Sequence, residues 1–210
     1  MNIFYETLKS CYYFFKAFFS QPFYFFKKSR VSLSSRIGRL TVIYGSVIGN
    51  YCYIGQGCIL NNVRMGNYCS VAPGVQIGGM EHSWWWGSTS TRLSDKHIVN
   101  LKTVIEDDVW IGANAVIRQG VHIERGAVIG ACSLVIKDVL PYSVAAGIPS
   151  RLLRKRFPDS IISQIEKTEF WLCPPKIAKK LLSEIDYPEL LSSKTYILKK
   201  QEQETSSADN

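Results

Sequence analysis

The sequence predicts a mainly β protein: a parallel β-helix of roughly five coils, with helical segments before and after it. Three observations carry that expectation. A β-branched aliphatic recurs at every sixth residue through Val99, Ile105, Ile111, Ile117, Ile123, Ile129 and Val135. Four places after each aliphatic, from Ile105 on, stands a small or β-branched residue: Val109, Ala115, Val121, Ala127, Ser133 and Val139. Glycine follows the aliphatic at Gly49, Gly55, Gly66, Gly78, Gly112 and Gly130, where turns are needed. A period of six matches neither an α-helix nor simple strand alternation. It is the mark of hexapeptides wound into a three-sided coil of about 18 residues. The aliphatics point into the prism and the small residues fill its corners.

Residues 1–30 form an aromatic, basic segment read as helical. The first 28 residues hold 12 Phe or Tyr, interspersed with Lys9, Lys16, Lys27 and Lys28. At helical spacing Phe4, Leu8, Cys11, Phe15, Phe18 and Phe19 share one side. Two readings stay open: a helix in a membrane interface, or a helix packed on the protein or on a second subunit.

The coils occupy residues 31–150. The first half, with Ile48, Ile54, Met65, Val71 and Ile77, is less regular and reads as one register slip between Ile54 and Met65. Cys52, Cys58 and Cys69 take the small position of their units and read as core residues. Residues 80–98, including the run Met80-Glu81-His82-Ser83-Trp84-Trp85-Trp86-Gly87, break the repeat. A loop held out from a rigid scaffold is where chemistry is expected. Gly147-Ile148-Pro149 closes the last coil. Residues 151–198 read as a helical segment interrupted at Pro174-Pro175, and 199–210 as a disordered polar tail.

Composition narrows function without choosing it. The net charge of +8 suits anionic lipid, nucleic acid or a phosphorylated ligand. No nucleic-acid motif, zinc-finger spacing or phosphate-binding Gly-rich loop is present. No apolar run is long and clean enough for a transmembrane helix. Six cysteines without a Cys-x-x-Cys pair, and no signal peptide, favour a reducing cytoplasm.

Two motifs carry a resemblance. One is His82-Ser83-Trp84-Trp85-Trp86-Gly87-Ser88-Thr89. The other is Val109-Trp110-Ile111-Gly112-Ala113-Asn114, with Gly147-Ile148-Pro149-Ser150-Arg151 closing the coils. From about residue 31 to 157 the chain resembles the left-handed β-helix acyltransferases of the hexapeptide-repeat superfamily. It is most similar to the branch holding xenobiotic acetyltransferases and surface-polysaccharide O-acetyltransferases. Trp85 stands where that family often has Asp, and the aromatic N-terminal segment departs from the antibiotic-modifying pattern.

The resemblance implies an acetyl-CoA-dependent O-acetyltransferase that uses no metal. It implies a homotrimer with active sites between subunits. His82 becomes the catalytic candidate, because an imidazole near pKa 6.5 is mostly neutral at pH 7 and can act as a base. Glu81 is a candidate to orient it, against the alternative of solvated surface. Trp84, Trp85, Trp86 and Ser88 are acceptor candidates, Trp86 also being read as a packing residue. For CoA the resemblance points to Trp110, Gly112, Ala113, Ala131, Ile136, Lys137, Arg151 and Arg154. The expected acceptor is a bacterial surface-glycan sugar, placing the protein in the cytoplasm or on the inner face of its membrane through residues 1–28. Competing expectations are an antibiotic acetyltransferase, a γ-type carbonic anhydrase using His82, His97 and His122, and a non-catalytic trimeric scaffold.

Overall fold

The computed structural model describes residues 28–93, 100–185 and 187. The expected N-terminal helix up to residue 27, Val99 and His97, and the polar tail lie outside these residues. Two compact units divide between Arg156 and Phe157.

The first unit is a three-sided parallel β-helix. Coil one runs through β1 (Arg30–Val31), β2 (Arg36–Ile37) and β3 (Val42–Tyr44). Coil two runs through β4 (Val47–Ile48), β5 (Tyr53–Ile54) and β6 (Ile59–Asn61). Coil three follows with β7 (Val63–Met65), β8 (Ser70–Val71) and β9 (Gln76–Gly78). After the loop, coil four holds β10 (Thr103–Ile105), β11 (Trp110–Ile111) and β12 (Val116–Ile117). Coil five holds β13 (His122–Ile123), β14 (Val128–Ile129) and β15 (Leu134–Val135). Equivalent strands of successive coils pair in parallel and make three faces: A from β1, B from β2 and C from β3. A sixth coil begins with a bridge from Val139 to Ile123, then β16 (Ser143–Gly147) on β14. The chain then reverses over Ile148-Pro149 into β17 (Ser150–Lys155), antiparallel to β16. The predicted closing motif is thus the turn of a hairpin that extends face B.

Register lines up the aliphatics in three columns. Val31, Ile48, Met65, Ile105 and Ile123 stack behind face A. Ile37, Ile54, Val71, Ile111, Ile129 and Ala145 stack behind face B. Ile43, Leu60, Ile77, Ile117 and Val135 stack behind face C. Nearly all are shut away from solvent, so each contributes about 1.5–3 kcal/mol of burial.

The register slip occurs twice rather than once. The step shortens from Ile43 to Ile48 and again from Leu60 to Met65, so the early coils repeat at 17 residues. After the loop, Val104 pairs with His122 and the coil takes 18. Both short steps fall at the corner from face C to face A. A residue lost at a corner leaves every column in phase, whereas one lost within a strand would turn its side chains to the other face.

The corners share one device. A residue with left-handed backbone precedes the small inward residue, as at Leu40 (φ 59°), Tyr51 (59°), Asn114 (56°) and Cys132 (56°). The small residue then links neighbouring turns. The Thr41 hydroxyl donates to the Gly55 carbonyl at 2.8 Å and accepts from the Cys58 N–H at 3.2 Å. Cysteines do the donating half of this work. The Cys52 and Cys58 thiols donate to the Gly66 and Ala72 carbonyls at 3.1 and 3.2 Å. Burial pushes the Cys69 thiol well above its ordinary pKa, which marks it as structural rather than nucleophilic.

The second unit carries α1 (Asp159–Thr168), a 3-10 turn (Phe170–Leu172) and α2 (Pro175–Ser183). Asp159 sits in the first turn of α1, where the helix dipole favours an acid. Pro175 opens α2, a position that needs no N–H. Phe170 and Trp171 pack edge to face with centroids 5.3 Å apart. No helix among the described residues is long and apolar enough to cross a membrane.

Candidate active site

The break in the repeat leaves the β-helix at the corner from face C to face A, between β9 and β10. Gly78 (φ 75°) turns the chain outward, and a side chain there would strike the Asn61 carbonyl. The returning limb of the loop is tied on both sides. Asn62, from the coil before, donates its side-chain amide to the Asn100 carbonyl at 3.1 Å. Gln119, from the coil after, accepts the Leu101 N–H at 2.9 Å. Gln119 is buried, so this bond also satisfies a polar group withdrawn from water.

His82 lies on the outgoing limb. Its Nδ1 is 2.6 Å from the Thr89 carbonyl oxygen. A carbonyl can only accept, so Nδ1 carries the proton and donates, and Nε2 of the neutral ring is left with a free lone pair. The same limb is tightened by a turn in which the Trp84 N–H donates to the His82 carbonyl at 2.8 Å, while Ser83 is buried. Trp84, Trp85 and Trp86 are all exposed, at 74%, 57% and 42%. Trp84 and Trp85 meet edge to face at 6.2 Å. Trp86 is the most covered of the three. Ser88 accepts the Ser90 N–H at 3.1 Å and shapes the loop from within.

Glu81 takes a different role from the one expected. Its carboxylate is held by Arg118, with Nε to Oε1 at 2.6 Å and a second guanidinium N–H to Oε2 at 3.3 Å. That hydrogen bonding holds the Glu81 carboxyl below the usual range for glutamate. The imidazole's ring partner is a backbone carbonyl, which no side-chain motif announces. Arg118 could have been found from the repeat, since it follows inward Ile117 one coil beyond the loop. His122 faces outward and pairs through Nε2 with Glu106 at 2.9 Å. No group of three or more His, Cys, Asp or Glu among the described residues is placed to hold a metal ion.

The CoA candidates fall in four places. Ile136, Lys137 and Arg151 line one recess of about 490 Å³, together with Asp138, Ser150 and Leu152. The Ser150 hydroxyl there is buried and makes no hydrogen bond. Arg154 lies on β17 opposite Val144. Gly112, Ala113 and Ala131 occupy the corner from face B to face C. A β-carbon on Gly112 would lie 2.5 Å from the Ala131 nitrogen, so only glycine allows the coils to meet there. Trp110 is exposed on face B and lines a separate recess with Tyr68, Ser70, Asp108 and Arg156. There Arg156 donates to Asp108 at 3.1 Å and to the Gly126 carbonyl at 2.6 Å. Within one protomer the eight residues do not form a single pocket.

Comparison with known proteins gives a consistent picture. A family model of the bacterial transferase hexapeptide, six repeats, matches residues 102–137. A chloramphenicol acetyltransferase of Klebsiella aerogenes is 37% identical over 137 residues, covering 60% of this chain and 58% of that protein. A protein described as a "probable macrolide acetyltransferase" of Lysinibacillus sphaericus is 34% identical over 127 residues, covering 60% of this chain and 68% of its own. The chain spans 58% to 62% of the length of the chloramphenicol acetyltransferases just cited and two like it. Among solved structures, an N-acyltransferase from Bacillus cereus shares the fold, with a TM-score of 0.50, 16% identity, and coverage of 70% of this chain and 90% of that one. The stacked aliphatic columns and the sequence likeness across them agree, and the chain belongs to the bacterial hexapeptide-repeat acyltransferase family.

Proposed function

We propose that the protein is an acetyl-CoA-dependent O-acetyltransferase, with His82 as its base and a hydroxyl of a bacterial surface-glycan sugar as its acceptor. The observation that carries this reading is the His82–Thr89 hydrogen bond. It fixes the tautomer that leaves Nε2 free in an exposed loop. His82 Nε2 takes the acceptor's proton as the hydroxyl oxygen attacks the thioester carbonyl carbon. The carbon–sulfur bond breaks, and the proton on His82 passes to the departing thiolate. Acetyl-CoA supplies an acyl group that is already activated, so no acyl-enzyme is required.

Lys137, Arg151 and the unbonded Ser150 hydroxyl suit the phosphates or the amides of CoA. Cations pair well with phosphate oxygens, and a buried hydroxyl favours a partner. The dispersal of Trp110, Ala113 and Ile136 around one protomer suits a groove completed by a neighbour. A homotrimer belongs to this reading. Its support is the outward row of face C, where half-exposed Val42, Ile59 and Val116 stand in line with Gln76 between the last two. Trp84 and Trp85 offer exposed ring faces to the C–H surfaces of a sugar. Residues 1–28, aromatic and basic, would hold the enzyme near lipid-linked glycan on the inner membrane face.

A second reading, an antibiotic acetyltransferase, is favoured by the names of the relatives, chloramphenicol and macrolide acetyltransferases. The test is CoA release from acetyl-CoA by the purified protein with cell-envelope sugars, lipid-linked glycans, chloramphenicol and macrolides in turn. A rate dependent on a sugar or glycan supports the first reading. A rate with an antibiotic alone replaces it with the second. No acetyl-CoA binding overturns both.

A further inference from the structure

Arg118 stands in the coil that follows the loop, yet it reaches back to the residue beside the proposed base. We propose that Arg118, acting through Glu81, is a positioning residue that fixes where His82 is presented. This rests on His82 being the base of an acetyl transfer.

His82 itself has few anchors. His82 is exposed, and its ring contact is to Thr89 in the same loop. That contact sets the tautomer of the ring. It does nothing to set the loop's position over the coils. Position comes from the two limbs and from Ser83, which is buried beside His82. The returning limb is tied by Asn62 and Gln119. On the outgoing limb, Gly79 has φ 107°, and a β-carbon there would meet nothing within 4 Å, so no neighbour packs against the chain at that residue. Two residues later Glu81 is clamped by both of its oxygens. A two-point Arg–carboxylate pair fixes direction as well as distance.

The clamp is itself firmly based. The Arg118 N–H donates to the Val135 carbonyl at 2.9 Å, inside the stacked coils. Its own carbonyl accepts from Thr103 at 3.5 Å, at the start of β10. Gln119, which holds the returning limb, is its chain neighbour. Residues 118 and 119 thus tie both limbs of the loop to one corner of coil four. The pair is largely exposed, with side-chain accessibilities of 51% and 36%. An exposed pair adds little to global stability. Its value lies in geometry, since a displacement of about 1 Å at a reacting group can cost on the order of 10²-fold in rate.

The experiment compares wild type, Arg118→Gln, Glu81→Gln, the double variant and His82→Ala in acetyl transfer to whichever acceptor wild type uses. The expected result is a fall in kcat of about 10- to 100-fold for each single variant. The double variant should match the singles, because one removed clamp cannot be removed twice. KM for acetyl-CoA and the thermal midpoint should stay near wild type, which a merely structural role would not allow. Arg118→Lys, keeping charge but losing the two-point grip, should recover only part of the rate. Wild-type kcat in Arg118→Gln, with His82→Ala inactive, overturns the positioning role and leaves the base in place. An active His82→Ala overturns the base, and the positioning role with it.

Discussion

Ile111 and His82 belong to segments that meet at neighbouring corners, and they are held in opposite ways. Ile111 has no exposed surface, and its carbonyl accepts the Ala72 N–H at 2.9 Å from the coil below. Its neighbour Gly112 donates to Ile129 in the coil above at 2.8 Å. His82 is exposed and leans on a carbonyl seven residues away. In the coils each residue is fixed by its copies above and below, so one error is felt by a whole column. In the loop each side chain is fixed by one or two named partners. The first arrangement suits rigidity and the second suits chemistry, which needs a group that solvent and substrate can reach.

That contrast can be broken from either side. The largest effect on stability belongs to the columns. Ile111→Ala should cost about 2–5 kcal/mol in denaturant unfolding, because a fully enclosed site collapses poorly around the cavity. A loss under 1 kcal/mol would show that the columns are not the source of rigidity. Gly112→Ala should follow, at about 1–3 kcal/mol, since its β-carbon meets main chain in the next coil.

In the loop the order of effects reverses, with activity falling and stability unmoved. Trp85→Ala should raise the acceptor's KM by about tenfold, the low end of what burying one aromatic side chain supplies. An unchanged KM for every acceptor would remove Trp85 from the acceptor surface. The smallest effect is one of pH. Arg118 holds the folded-state pKa of Glu81 below its unfolded value. The clamp is therefore complete above the ordinary glutamate value of about 4.3, and it is lost as pH falls through the lowered one. Amide exchange should quicken in residues 80–89 as pH falls through and below the ordinary glutamate range, while the coils stay protected. Glu81→Gln should abolish that step.

How much of this was legible in the sequence follows from the same contrast. Ile105 through Val135 announce the coils because every column position is chemically alike and evenly spaced. The second short step, between Ile43 and Ile48, escaped notice because the first coil was too sparsely marked to fix its phase. The loop was visible as an interruption, and His82 stood out by its chemistry and its neighbours. Its partner did not, because the Thr89 carbonyl belongs to the backbone and any residue carries one. Glu81 was drawn to His82 by adjacency, whereas its carboxylate had a stronger partner 37 residues further along the chain. Trp110 and Ile136 share the motifs that point to CoA, yet they line different recesses. A linear motif does not show which side of a three-sided prism each residue faces.

His82 Nε2 is the group on which the proposed transfer depends. The most direct measurement is the rate of acetyl transfer by His82→Ala beside wild type, with the same acceptor and with folding matched by circular dichroism. The loop's independence from the coils predicts an unchanged fold and a rate lower by on the order of 10²-fold or more. A folded variant turning over at close to the wild-type rate would contradict it.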